Sequence, residues 1–218
     1  MALAIFDLDH TLLSGDSDHA WGQYLVDRNL VDPAEHQRRN DHFYEQYKAG
    51  TLDIQEYLAF ALKPLTEHPL ALMLAERERF LQERIKPLIS QKSRDLISKH
   101  KEAGDTLLII TATNGFVTEP IAGILGIDHI IAPQPEFIDD AYTGGIVGIP
   151  SFQQGKVTRL LDWLADQQLD LDGSYFYSDS HNDLPLLEKV DHPVAVDPDD
   201  TLKQRATEQN WPIISLCL

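Results

Sequence analysis

Two aspartates one residue apart, Asp7 and Asp9, close the apolar run that starts at Ala2. Side chains at i and i+2 of an extended chain share a face. Two carboxylates so placed repel unless a cation stands between them. A divalent cation is the natural partner, because hard cations take oxygen ligands. A second pair, Asp179 and Asp183, follows the apolar run 174–177 and precedes a predicted helix, with Asn182 beside it. A helix cap accounts for one acid there but not for both. Between the pairs, Thr111-Ala112-Thr113-Asn114-Gly115 links an apolar run to a helix. A hydroxyl and main-chain amides at that position suit two phosphoryl oxygens, and the same residues equally suit an ordinary N-cap. Lys156 opens a helix after Gln154-Gly155, where the helix dipole disfavours a cation. That mild cost suits a residue that neutralises an anionic substrate and its neighbouring acids. A solvated surface lysine fits the same pattern.

Such residues need a frame that gathers strand ends. Short apolar runs at the N-terminus and at 106–110, 128–131, 174–177, 193–196 and 212–214 read as buried strands. Helical segments lie between them, at 90–103 (closed by Gly104), 116–125 (stopped by Gly126) and 155–168, the last with Val157, Leu160, Leu161 and Leu164 inward. This alternation predicts an α/β fold with a parallel sheet covered on both faces. Such sheets bind ligands at the carboxyl ends of their strands. Residues 137–149, with Asp139-Asp140 and Gly144-Gly145, read as a side hairpin. From about residue 19 to 80 the apolar spacing is helical throughout, as in Trp21, Tyr24 and Leu25. The breakers Asp32-Pro33, Ala49-Gly50, Lys63-Pro64 and His68-Pro69 divide it into about four helices, enough for a small bundle.

The 218 residues carry a net charge of −17. So acidic a surface argues against nucleic acid and anionic membranes as main partners and favours cations and small substrates. The single cysteine, Cys217, gives neither a disulfide framework nor a thiolate zinc site, and a reduced, cytoplasmic setting fits. The N-terminus lacks a basic leader, and no apolar stretch approaches the ~20 residues of a membrane span. Oligomeric state is not legible.

The string Phe6-Asp7-Leu8-Asp9-His10-Thr11-Leu12 resembles D-x-D-x-T-[LV], the first motif of haloacid dehalogenase superfamily phosphatases. The order acid pair, Thr, Lys, acid pair resembles that family's four motifs over residues 1–15 and 85–200. The helical insertion after the first motif is similar to the cap of the subfamily that contains phosphoserine phosphatase. The resemblance implies a Rossmann-like catalytic core of residues 1–15 and 85–218 and a helical cap of 16–84. It implies Mg2+ held by Asp7, the Asp9 carbonyl and Asp179. Asp7 would then be the nucleophile that forms an aspartyl-phosphate, and Asp9 the general acid and base. Thr111, the Ala112 amide and Lys156 would hold the phosphoryl oxygens, Asn182 would reach them, and Asp183 would orient Lys156 or a metal-bound water. Ser178 departs from the family, which usually has Gly there.

The same resemblance bears on the leaving group. In phosphoserine phosphatases a glutamate nine residues after the nucleophile meets the substrate ammonium; here that position is Asp16. Those enzymes clamp the substrate carboxylate with a cap arginine, and the comparable stretch 55–62 has none. An acid kept and a cation lost suggest an amine-bearing phosphomonoester without a carboxylate, such as histidinol phosphate. Asp18, His19, Trp21 and Tyr24 would suit its imidazole, although Trp21 and Tyr24 equally suit cap core. Leu12-Leu13-Ser14-Gly15-Asp16-Ser17-Asp18-His19-Ala20-Trp21 resembles the bacterial hydrolases that include histidinol-phosphatases. Phosphoserine hydrolysis, phosphoryl transfer to another alcohol and a receiver-type switch are the alternatives. The last places its aspartate on a middle strand and has no helical insertion after strand one.

Overall fold

A computed structural model of the chain describes residues 2–217. Strand β1 (Leu3–Phe6) is followed by four helices: α1 (Ser17–Asp27), α2 (Pro33–Lys48), α3 (Ile54–Glu67) and α4 (Leu70–Phe80). Helix α4 runs into one π turn, Leu81–Ile85, and one 3-10 turn, Lys86–Leu88. Then come α5 (Gln91–Ala103), β2 (Thr106–Ile110), α6 (Gly115–Leu125), β3 (His129–Ile131) and the antiparallel hairpin β4 (Gln134–Ile138) and β5 (Ala141–Val147). The chain ends with α7 (Gln154–Gln167), β6 (Tyr175–Ser178), α8 (Leu184–Leu187), β7 (His192–Val196), α9 (Asp200–Gln209) and β8 (Ile213–Ile214).

Six strands form one parallel sheet in the order β3-β2-β1-β6-β7-β8. The register decides what this sheet can do. Phe6 lies opposite Ile109 on one side and Tyr177 on the other. The carboxyl ends of β1, β2 and β6 therefore finish side by side. The residues that follow them, Asp7, Thr111 and Asp179, emerge at one edge.

Side chains alternate between the two faces. Ile5, Leu108, Ile110, Phe176 and Ala195 pack with Val157, Leu160 and Leu164 of α7 and with α8 and α9. Ala4, Phe6, Ile109, Tyr177 and Val194 face the other way, onto Ile97 of α5 and Phe116 and Ile121 of α6. That second cluster does not stop at the sheet. It runs on through Trp21, Tyr24 and Leu25 of α1, Leu62 and Leu65 of α3, and Met73 and Phe80 of α4. An antiparallel bridge between Leu13 and Ile89 ties the two ends of the helical segment together.

Local signals explain most boundaries. Ser90 caps α5 by accepting from the Ser93 amide, and Gly104 closes it at φ 78°, where a residue with a Cβ is strained. Two expectations need correction. Pro64 does not end a helix but lies inside α3. So near the helix end it forfeits one main-chain hydrogen bond, and its ring is buried. Leu161 is 49% exposed. The buried stripe of α7 is Val157, Leu160 and Leu164, and Leu161 stands about 100° further round the helix than Leu160.

Candidate active site

Leu8 is buried in the core, so Asp7 and Asp9 on either side of it turn out of the sheet edge together. The Asp7 amide still donates to the Tyr177 carbonyl (2.9 Å), which extends the β1–β6 register by one residue. The chain then folds back at His10, whose φ is 55°, while the Leu12 and Leu13 amides both bond the Leu8 carbonyl. These turns aim the two acids into a cavity of ≈ 880 Å³, its open mouth included.

Lys156 sits in the first turn of α7 and is 3% exposed. Its Nζ donates to Asp7 Oδ1 and Asp183 Oδ2, each at 2.7 Å. Burial works against the ammonium, but Asp183 and Asp7 outweigh it and hold its pKa above the ordinary lysine value. Gly155 makes this placement possible. A Cβ there would meet the Pro150 carbonyl oxygen at 2.1 Å, so only glycine lets the incoming loop pack against the start of α7. The lysine expected to oppose a helix dipole is thus answered by two carboxylates.

Asp183 also accepts from Ser178 Oγ at 2.7 Å. The serine that departs from the family pattern is a buried donor that fixes the acid orienting Lys156. Ser178→Gly is therefore expected to lower stability by about 1–2 kcal/mol, read from a denaturant midpoint, and kcat several-fold.

The remaining expected residues fall around this ion pair. Thr111 and Ala112 line the cavity, and Thr111 Oγ1 accepts from the Thr113 amide (3.1 Å). Asn182 and Asp183 line it from the loop after β6. Asp179 does not line it. Its Oδ1 accepts from Thr11 Oγ1 (3.1 Å), in the turn that follows β1. Burial, and then the charges of Asp7 and Asp183, push the Asp179 pKa well up. Burial raises Asp7 as well, to about 6, against the pull of Lys156.

Two buried carboxylates, Asp7 and Asp183, thus share one ammonium, and the half-buried Asp179 adds a third negative charge close to both. That excess of negative charge suits a divalent cation. Among the described residues no three His, Cys, Asp or Glu side chains form a ready metal cluster. The oxygen donors at hand are two carboxylates, Asp7 and Asp179, with a main-chain carbonyl.

Asp9 is held from two sides. Its Oδ1 accepts from the Ser17 amide (2.6 Å) and its Oδ2 from Thr113 Oγ1 (2.8 Å). Burial first, and the charge of Asp16 second, raise its pKa well above the usual range. A raised pKa favours the protonated acid, the form that can give a proton to a leaving group. Asp16 caps α1, its Oδ1 accepting from the Asp18 and His19 amides (2.9 and 2.8 Å), and it also lines the cavity.

Two expected lining residues are elsewhere. Trp21 and Tyr24 are buried, stack on each other at 5.7 Å and pack against Phe80. They are core, and the cavity takes its aromatic wall from Phe43, Tyr44, Tyr47, Tyr57 and Phe152 instead. An amphipathic stripe marks the buried face of a helix without saying whether that face meets core or cavity.

Sequence reasoning also missed the contacts that close the helices over the sheet edge. Tyr47, at the end of α2, donates its hydroxyl to Ser180 Oγ (3.1 Å) and takes Asn182 Nδ2 on its carbonyl (3.3 Å). Gln153 Nε2 donates to Asn182 Oδ1 (2.9 Å) and to the Gly50 carbonyl (3.4 Å). Gln153 holds φ 47°, an uncommon conformation for a residue with a Cβ and a sign of local constraint.

The model of the haloacid dehalogenase-like hydrolase family matches residues 4–188, a span that holds both acid pairs, Thr111 and Lys156. The chain belongs to that family. This hydrolase is 46% identical over 217 residues to the histidinol-phosphatase of Neisseria meningitidis serogroup C, with 98% of each chain covered. A solved Bordetella pertussis Tohama I protein of unknown function superposes with a TM-score of 0.92 at 44% identity, covering 99% of this chain and 98% of that one. The phospho-aspartyl intermediate analogue of a phosphoserine phosphatase superposes with a TM-score of 0.72 at 18% identity, covering 98% and 92%. That last likeness is one of fold. The chain is a haloacid dehalogenase-family phosphatase with a Rossmann-like parallel sheet. No described helix is long and apolar enough to cross a membrane.

Proposed function

We propose that the protein hydrolyses histidinol phosphate to histidinol and inorganic phosphate through an aspartyl-phosphate on Asp7. The observation that carries this reading is the charge asymmetry of the cavity. Among the described residues its one Lys or Arg, Lys156, stands at the sheet edge beside Asp7, and the helical side offers Asp16 and Asp18 with His19 but neither lysine nor arginine. A phosphate belongs at the first end and an amine at the second. A substrate carboxylate, as in phosphoserine, meets no lysine or arginine there. The name of the Neisseria relative points the same way.

In this reading Asp7 attacks phosphorus, and Asp9 passes its proton to the departing alkoxide oxygen. Asp9, now a carboxylate, then takes a proton from the water that cleaves the acyl-phosphate. Lys156, Thr111 and the Ala112 amide hold the phosphoryl oxygens, with Asn182 in reach and Asp183 keeping Lys156 in place. The side chains of Asp7 and Asp179 and the carbonyl of Asp9 would hold Mg2+. That ion, when bound, shields the charge between nucleophile and phosphate. Residues 1–15 and 85–218 act as the catalytic core and 16–84 as a cap that sets the leaving group, in a cytoplasmic enzyme.

The test is a substrate panel with purified protein and Mg2+. The expected kcat/KM is at least about 100-fold higher for histidinol phosphate than for phosphoserine, since the latter buries an unpaired carboxylate among acids. Equal or faster turnover of phosphoserine would reject the assignment.

A further inference from the structure

Asp18 takes part in none of the bond-making steps above, yet it is 8% exposed and lines the same cavity. It stands in the first turn of α1, and its Oδ2 accepts a short hydrogen bond from the Tyr57 hydroxyl, which comes across from α3. Among the described residues nothing donates to its Oδ1, and no lysine or arginine pairs with it. Burial, and then the charge of Asp16, raise its pKa to about 7, and a donor supplied by a ligand would favour its charged form. Its surroundings describe the missing group. Phe43, Tyr44 and Tyr57 line the cavity beside it, and aromatic side chains suit a planar ring. On the same wall Asn40 Nδ2 and His19 Nδ1 bond each other at 2.8 Å, which fixes a polar edge beside that ring position. Asp16 is a separate feature. Its Oδ1 is committed to the helix amides, and its other oxygen is available to an amine.

We infer that Asp18, oriented by Tyr57, is a specificity-determining residue that accepts an N–H from a nitrogen heterocycle on the leaving group, while Asp16 accepts the amine. The inference rests on the cationic leaving group proposed above. It adds that the cavity reads two nitrogen groups at two separate acids. Tyr57 is the positioning residue. Its hydroxyl occupies one carboxylate oxygen and leaves the other for the ring.

The test compares kcat/KM for histidinol phosphate with that for 2-aminoethyl phosphate, which keeps the phosphate and the amine but lacks the ring. The ratio in the unaltered protein is expected to exceed about 30, on the order of one hydrogen bond to a charged group. Asp18→Asn should lower that ratio about 30-fold, mostly through KM for histidinol phosphate. Tyr57→Phe should lower it about 5-fold, since the acid remains but turns more freely. A ratio unchanged in both variants, or an equal loss on both substrates, overturns the inference. If Asp18→Asn does not fold, Tyr57→Phe decides alone. Preference of the unaltered protein for phosphoserine would sink the proposed function instead, and this inference with it. Preference for histidinol phosphate that survives both substitutions would sink this inference only.

Discussion

Asp7→Asn is expected to abolish phosphate release, by roughly 10⁴-fold or more in kcat, while leaving the fold intact. The amide has nearly the shape of the carboxylate. Its oxygen can still accept from Lys156 Nζ, which keeps its second partner, Asp183 Oδ2, at 2.7 Å. What it lacks is an anionic oxygen able to attack phosphorus. The stability change should stay within about 1 kcal/mol, because one of three crowded carboxylates is neutralised and the ammonium keeps a full counter-charge. Steady-state release of phosphate gives the rate, and a thermal melt gives the control. Quenched turnover of the unaltered protein should also reveal a chain heavier by one phosphoryl group, absent from the variant. Undiminished turnover by Asp7→Asn would mean that the nucleophile is another residue.

Lys156→Met should damage stability and rate together. Methionine has about the length and volume of the lysine stem, so packing is nearly conserved. The ammonium is lost from a position 3% exposed, and Asp7 and Asp183 then face each other and Asp179 with no cation. Breaking a buried pair in this way costs about 3–5 kcal/mol. For a chain of this size that is a fall in Tm of about 10 °C. Catalysis should fall by about 10³-fold or more, because the same charge would face the transferring phosphoryl group. The two effects can be separated. Added Mg2+ should recover part of the melting temperature, since a second cation relieves the same repulsion, but should leave the rate low. A variant that melts like the unaltered protein would show that Lys156 is not the charge holding these acids together.

The α/β frame was legible because its signals are local. Apolar runs such as Thr106–Ile110 are bounded by glycines at left-handed positions, Gly104 and Gly126, and by polar turns that cannot be buried. The order of the strands was not legible, because parallel buried strands look alike in sequence and nothing in Tyr175–Ser178 says that it pairs with Leu3–Phe6. Candidate site residues at strand ends could be read for the same local reason. Asp7, Thr111, Lys156 and Asp183 each stand at a change from strand or loop to helix. The cavity wall on the helical side could not. It is made where four helices meet, and the choice of Phe43 and Tyr57 over Trp21 and Tyr24 is set by helix rotation rather than by composition. Gly50 was legible only as a helix breaker, and the contacts of Tyr47 and Gln153 across the cavity gave no signal, since isolated residues over 100 positions apart announce nothing until the fold brings them together.

One feature of the packing reaches beyond the site. The apolar cluster under the sheet passes without interruption into α1, α3 and α4, so the segment that contacts the leaving group shares its interior with the scaffold. Deleting those helices would strip Trp21 from Phe116 and expose part of the cluster that α5 and α6 alone do not cover. The molecule therefore melts as one cooperative unit, and what can loosen independently is the outer layer, α2, where Phe43 is the single buried residue and the bonds of Tyr47 and Gly50 to the opposite rim are few. The residues that read the leaving group, Asp18 on α1 and Tyr57 on α3, thus stand in the part that cannot yield without global unfolding, and only the share of the cavity wall that α2 supplies, Phe43 and Tyr44, is free to drift.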